Sequence, residues 1–418
     1  MNYQITIISR DRLFFNDARP LGGANIGSGA SWPMPGVFHS ALQSALHSVY
    51  DSSWESRHSN LSDKEKAKIK RQNGNYSRYS LGGLKTYGPF PSVDDELYFP
   101  TPADIDSNGK AMNPVILPGS SNLQKPLKYS VASSSPPSKE PKGEWISTSD
   151  LERYLKGESC MTTNASELYV AESSPGVGIN PDTRSNEDKK FYQAEYLRLN
   201  EKFKVVEKEY RPVRMAAFAE CEARRYTGEK VDVLEKFFNS SKNSIIFGGQ
   251  RGVVFLTAIR GRKLCTFDKP DSVRVKWVLL TPGLFNNGWL PDWVDAETGD
   301  VKLKHRPEKG SLSRKEWREQ IANATFIDAK LVAARISGSI HFSGWKLDPE
   351  KDNAGGIPKE TRMAVPAGSV YYFECSGISE AAKLVEELHC RSKSSLLGEQ
   401  GFGLGVCGTW QLNSIINI

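Results

Sequence analysis

Two stretches of this chain run through the same order of elements, and that repetition limits the fold more than any single motif does. "VDVLEKFFNSSKNSIIFGGQRGVVFL", from Val231, reads as a short amphipathic helix, an apolar patch, a glycine turn and a strand. "ISEAAKLVEELHCRSKSSLLGEQGFGLGVCGTW", from Ile378, reads the same way. In the second stretch Ser379 is placed to cap the helix, and Leu384, Val385 and Leu388 form its apolar face. The glycines then open into a strand over Leu404 to Leu412. Each half also begins with an alternating strand, "YQITIIS" (Tyr3 to Ser9) and "SVRVKWVLL" (Ser272 to Leu280). With strands around Ala329 to Arg335 and Val370 to Phe373, each half fits a βαββαβ unit. The expected fold is therefore α+β: two tandem ferredoxin-like (RRM-like) domains with insertions, 1–265 and 266–418, joined through the polar link Arg260 to Asp271.

A helix is expected from Pro35, because Val37, Phe38, Ala41, Leu42, Ala45, Leu46 and Val49 recur at helical spacing. Residues 62–79 are basic and polar, a solvated surface or a contact to nucleic acid. Residues 119–147, with "SVASSSPPSKEPKGE", have the Ser, Pro and Lys content of a flexible insertion that folding does not need. Fifty-five Lys and Arg against forty-nine Asp and Glu leave +6, a mild basic excess that suits a polyanion where it is clustered. The six cysteines contain no C-x-x-C pair, so reduced thiols are expected, with neither a zinc nor a disulfide framework. The start has no basic segment followed by an apolar one, and no apolar run approaches a membrane span, so a cytoplasmic protein without a membrane partner is expected.

Nothing in the chain demands catalysis. His39 and His47 share one helix but are roughly 12 Å apart at helical rise, too far to share a metal ion. His389 and Cys390 are adjacent and point in different directions. Gly403, Gly405 and Gly408 match the letters of a dinucleotide fingerprint, yet only ten residues follow and none is acidic. No cofactor or metal is expected. Signals for nucleic acid are more numerous. "GGQRG" sets Arg251 among Gly248, Gly249 and Gln250 in a turn that lets a sugar-phosphate approach, or is simply a tight turn. Lys359 and Arg362 precede a strand, with Met363 as an apolar finger able to wedge against a base. Arg19 and several glycines stand ahead of a helix N-terminus, where free N–H groups favour an anion. Tyr371, Tyr372 and Phe373 read either as base-stacking platforms or as core.

The segments "FFNDARPLGG", "YFPTPADI", "GVGINPDTRSNEDKKFYQAEYLRL", "FGGQRG", "LLTPGLFNNGWLPDW", "SGWKLD", "PKETRMAVPAGSVYYFE" and "GFGLGVCGTW" together resemble the RAMP proteins of CRISPR systems. Within them they are similar to the third subunit of the Cmr (type III-B) effector complex, and the likeness covers most of the chain. The resemblance implies tandem ferredoxin-like domains and a non-catalytic, RNA-binding role. Such a subunit holds the 5′ tag of the CRISPR RNA and joins the large polymerase-like subunit to the backbone RAMP subunits in antiviral defence, meeting target RNA only indirectly. It implies RNA contacts at Arg19, Ser31, His39, Arg184, Gly248, Gly249, Gln250, Arg251, Lys359, Arg362 and Met363. Gly401, Gly403 and Gly405 match a family loop that lies against guide RNA or against the fold's own sheet. The alternative is a RAMP endoribonuclease that processes precursor CRISPR RNA with His39 or His47 as general base, and an unrelated α+β enzyme is a third reading.

Overall fold

The computed structural model describes residues 2–15, 26–51, 54, 81, 83–117, 122–134, 136, 141–179, 182–206, 209–225, 227, 229–240, 243–262, 264, 270–305, 313–346 and 357–413. The chain is α+β, with mostly antiparallel sheets and few helices. Arg19 and residues 62–79 lie outside the described residues.

Two sheets carry the architecture. In the first, seven strands lie in the order Ser244–Ile246, Val253–Arg260, Tyr3–Ser9, Val213–Glu220, Lys85–Val93, Glu96–Pro100 and Trp145–Ser147. In the second, five lie in the order Ala329–Arg335, Val370–Cys375, Arg274–Leu279, Leu404–Thr409 and Arg391–Ser392. The four long strands of each half thus share one spatial order, in which the fourth and the third flank the first and the second lies beyond the third. All of these neighbours are antiparallel.

Alternation along the strands gives each sheet two apolar faces, and each face finds a cover. Ile5, Ile7, Met215, Ala217 and Leu256 of the first sheet pack under helix α1 (Pro35–Leu46) and the helix Val233–Phe238. The opposite face contributes Phe90, Ala216 and Phe218, with Phe99, to a core shared with Val278, Val332, Tyr372, Leu404 and Val406 of the second sheet. The far side of the second sheet, with Trp277, Leu331, Tyr371 and Phe373, is covered by the helix Ile378–Leu388 and by Leu290, Val294 and Val301. Tyr371, Tyr372 and Phe373 are therefore core.

Several expectations need correction. The helix at Ile378 is capped by Gly377 without a side-chain hydrogen bond, so Ser379 falls inside it. The crossover between Arg274–Leu279 and Ala329–Arg335 does carry a helix, Arg314–Asn323, but it is largely solvent-exposed, and loop residues cover the sheet in its place. The described part of 119–147 is not loose. Tyr129, Trp145 and Ile146 are buried, Ser130–Ala132 pairs with Asn113–Val115, and Trp145–Ser147 extends the first sheet. Cys160, Cys221, Cys375 and Cys407 are buried free thiols, whereas Cys390 is disulfide-bonded.

Candidate nucleic-acid interface

The turn at Gly248–Gly252 joins Ser244–Ile246 to Val253–Arg260, and its shape follows from what it touches. The Gly249 N–H donates to the Phe14 carbonyl at 2.7 Å, and a Cβ on Gly248 would stand 2.6 Å from that same oxygen. Gly248 has φ +80°, and Gln250 and Arg251 continue in the left-handed region at +52° and +55°. Two consecutive non-glycine residues there hold strain that packing must offset, a state found more often at functional positions than elsewhere. Both side chains project into solvent. The Phe15 ring meets Phe247 at 5.1 Å, and the Phe15 N–H bonds the Gly29 carbonyl at 2.8 Å. The turn is thereby tied to the strand end that leads through Ala30 to the exposed Ser31 and on to α1.

α1 begins at Pro35 with no side-chain cap and no acidic residue in its first turn, so the positive end of its dipole is uncompensated by its own sequence. Met34, just ahead of it, packs with Phe402, Leu284, Ala364, Ile340 and Phe342. That cluster brings a two-stranded arm of the second half, Ile340–Phe342 paired with Arg362–Ala364, up to the N-terminus of a helix of the first half. The Phe342 and Phe402 rings lie 4.9 Å apart. On the arm Lys359, Arg362 and Met363 are exposed, and neither cation makes an ion pair among the described residues. A continuous run of contacts therefore links Gly248–Arg251, Phe14 and Phe15, Ser31, the start of α1 and the arm.

Other expected residues fall elsewhere. Arg184 sits at the turn of a long hairpin, Tyr169–Ile179 with Asn186–Leu199, exposed and with φ +53°. A strand of this length reaches roughly 35 Å, so Arg184 stands far from the run of contacts at the hairpin's base. His39 is buried on the inner side of α1, its ring Nδ1 3.2 Å from the Thr86 hydroxyl, and burial lowers its pKa from 6.5 to about 4. It has no surface to offer an RNA strand. Gly401, Gly403 and Gly405 are buried as well. A Cβ on Gly401 would meet the Thr86 carbonyl at 2.6 Å, one on Gly403 the Ser394 nitrogen at 2.5 Å, and one on Gly405 the Trp277 ring nitrogen at 2.2 Å. Thr281 completes the fit, its hydroxyl donating to the Gly401 carbonyl at 2.6 Å and accepting the Leu404 N–H at 2.9 Å. Of the two readings of the closing loop, the fold's own sheets are what it lies against.

One exposed residue escaped sequence reasoning. His341 lies directly across from Met363 in the arm, and only the short alternation of "IHF" hinted that its side chain faces away from the packed side. Among the described residues no group of His, Cys, Asp or Glu is arranged to hold a metal ion, and no helix is long and apolar enough to cross a membrane.

None of the curated proteins matches this chain. Among solved structures it is similar to a chain in the cryo-EM structure of the type III-B Cmr-beta bound to cognate target RNA, with a TM-score of 0.45 and 14% identity over 88% of this chain and 86% of that one. It is also similar to a chain in the crystal structure of the Csm3–Csm4 subcomplex of the type III-A CRISPR–Cas interference complex, with a TM-score of 0.30 and 11% identity over 88% of this chain and 92% of that one. The family model of the CRISPR-associated protein Cas_Cmr3 matches residues 5–410, and the chain belongs to that family.

Proposed function

We propose that this member of the Cas_Cmr3 family is a non-catalytic, RNA-binding subunit of a type III-B CRISPR interference complex. In that reading it holds the 5′ tag of the CRISPR RNA and joins the large polymerase-like subunit to the backbone RAMP subunits. The observation that carries it is the run of contacts from the Gly248–Arg251 turn, past Ser31 and the uncapped start of α1, to the arm with Lys359 and Arg362. Exposed cations from both halves of the chain and an apolar finger lie along it, the combination that grips single-stranded RNA by phosphate contacts and splayed bases.

The shared strand order supports reading each sheet as a ferredoxin-like unit, 1–265 and 266–418, with the groove at their junction. The non-catalytic part of the proposal rests on His39. A general base must be within reach of the proton it abstracts, and of the two histidines that the nuclease reading offers, this one is enclosed.

The test is a filter-binding titration of the full chain against tagged and tagless guide RNAs at several salt concentrations. Wild type is expected to favour the tagged RNA. Arg251→Ala and the pair Lys359→Ala/Arg362→Ala are expected to flatten the salt dependence by roughly 0.7 of a log unit per lost phosphate contact. Variants that keep the wild-type affinity and slope would make these cations ordinary surface charge. Discrete cleavage of a labelled repeat RNA that disappears in His39→Ala would replace the proposal with the processing nuclease.

A further inference from the structure

The arm has two faces, and pairing assigns every residue to one of them. Ile340 lies opposite Ala364, His341 opposite Met363, and Phe342 opposite Arg362. In an antiparallel pair, residues directly opposite each other point to the same side, and neighbours along a strand point to opposite sides. Ile340, Ala364 and Phe342 pack on Phe402 and Met34, which fixes the inner face. His341 and Met363 share the outer one, where Met363 is 59% exposed and His341 is exposed too.

Among the described residues, neither this exposed methionine nor the exposed imidazole beside it belongs to an apolar cluster. Their Cβ atoms are held about 5 Å apart by the strand pairing, so the ring and the thioether form one small, flat, apolar surface. The position of that surface is rigid, because the strands under it are clamped to the core through Phe342. Lys359 and Arg362, both exposed, come just before Met363 in the chain, at the end of the arm where Arg362 pairs with Phe342. The aliphatic part of Lys359 lies over Gly344, where a Cβ would come within 3.4 Å of its Cδ, and the Ser343 hydroxyl donates to the Lys359 carbonyl at 2.9 Å. Gly344 therefore leaves the lysine stem room to lie along the arm. The result is a small apolar seat with two exposed cations at one end of it.

We infer that His341 and Met363 together form the seat of one unstacked nucleobase of a single-stranded RNA, with Lys359 and Arg362 at the adjoining end of the arm placed for its phosphates. Imidazole rings stack on bases, and a polarizable thioether packs against a π-face without demanding one base identity. The seat selects an unpaired, splayed nucleotide by shape, with no hydrogen bond to a base edge. This inference rests on the RNA-binding reading above and adds to it a base-contacting residue, His341, and the kind of contact it makes.

The experiment uses the full chain and guide RNAs in which 2-aminopurine replaces one tag nucleotide at a time. With wild type, one position is expected to lose fluorescence on binding, as stacking quenches the probe. His341→Ala should restore that fluorescence and weaken binding roughly five- to tenfold with the salt slope unchanged. His341→Phe should keep both the quenching and the affinity. Lys359→Ala/Arg362→Ala should do the reverse, lowering the slope while a saturated complex stays quenched. If wild type binds the guide with a normal salt slope and His341→Ala neither restores fluorescence nor weakens binding, the base seat is wrong while the RNA-binding reading stands. If wild type binds no guide RNA at all, both fail together.

Discussion

The carboxylate of Asp104 accepts the Tyr372 hydroxyl at 2.7 Å, inside the core that the two sheets share. Its other oxygen accepts the Tyr154 hydroxyl at 2.5 Å, and the ammonium of Lys276 sits 3.4 Å from the centre of the Tyr154 ring. Both charged residues are buried. Removing one partner from such a cluster leaves the other uncompensated, a loss of about 3–5 kcal/mol. The seam between the two sheets is therefore held by a polar lock as well as by apolar packing, and its state depends on pH.

Burial lowers Lys276 from 10.5 to about 8. Between those values the unfolded chain binds a proton that the folded one has released. Stability must then rise as pH rises from about 8 toward 10, and the cost of charging Lys276 is complete below that window. Urea midpoints for wild type are expected to climb over this range, and those for Lys276→Met to stay flat. An equal climb in both proteins would assign the effect to another group.

Strand alternation and helix periodicity were legible because each depends on residues a few positions apart, as in Tyr3–Ser9 and α1. The purpose of the closing glycines was not. What crowds Gly405 is Trp277, and what crowds Gly401 is Thr86, both more than a hundred residues away in sequence. His39 was expected at the RNA through the family resemblance alone, and the strand that closes over it, with Thr86 against its ring, lies 47 residues on in the sequence. Ser and Pro content likewise concealed the few large side chains that pin residues 122–134 and 141–147.

Two glycine substitutions separate close packing from backbone strain. A Cβ on Gly405 would lie 2.2 Å from the Trp277 ring nitrogen and 2.8 Å from the Val278 carbonyl, both fully buried. Gly405→Ala is expected to cost about 3 kcal/mol, the upper end for an overpacked core. Gly157 has φ +82° and nothing within 4 Å of its would-be Cβ, so Gly157→Ala should cost about 1 kcal/mol from conformation alone. Thermal unfolding of the two variants checks the ratio. Similar small losses would mean that the closing loop yields easily, and would reopen it as a surface for RNA.

His39 makes the fold sensitive to acid. Its folded value of about 4 lies below the ordinary 6.5, so the unfolded chain takes up a proton first. Stability is lost as pH falls from about 6.5 to about 4, by roughly 3 kcal/mol at the lower limit. Carboxylates lose stability over part of the same range, so the diagnostic quantity is the difference from His39→Gln. That difference should shift in favour of the variant as the pH falls, and a constant difference would show that His39 titrates as it does in the unfolded chain.

Replacing 119–147 with a short Gly-Ser linker is expected to damage the isolated protein, contrary to what the composition suggests. The replacement removes Trp145 and Ile146 from the edge of the first sheet, and Tyr129, whose N–H bonds the Val332 carbonyl of the second sheet at 2.9 Å. It also removes Lys142, whose ammonium donates to the carbonyls of Ile105, Pro102 and Ala103 at 2.9, 3.1 and 3.4 Å. Those carbonyls flank Asp104, so the turn that presents its carboxylate to Tyr154 and Tyr372 would lose its clamp. Ile146→Ala alone should cost about 2–5 kcal/mol, the usual range for truncating a fully buried aliphatic side chain. Ser134→Gly, at an exposed position in the same stretch, should fall within about 0.5 kcal/mol of wild type. Denaturant unfolding of the three proteins decides the matter. A linker variant with the wild-type midpoint would mean that the segment rests on the two sheets without holding them together, and that the lock at Asp104 is maintained from the sheets alone.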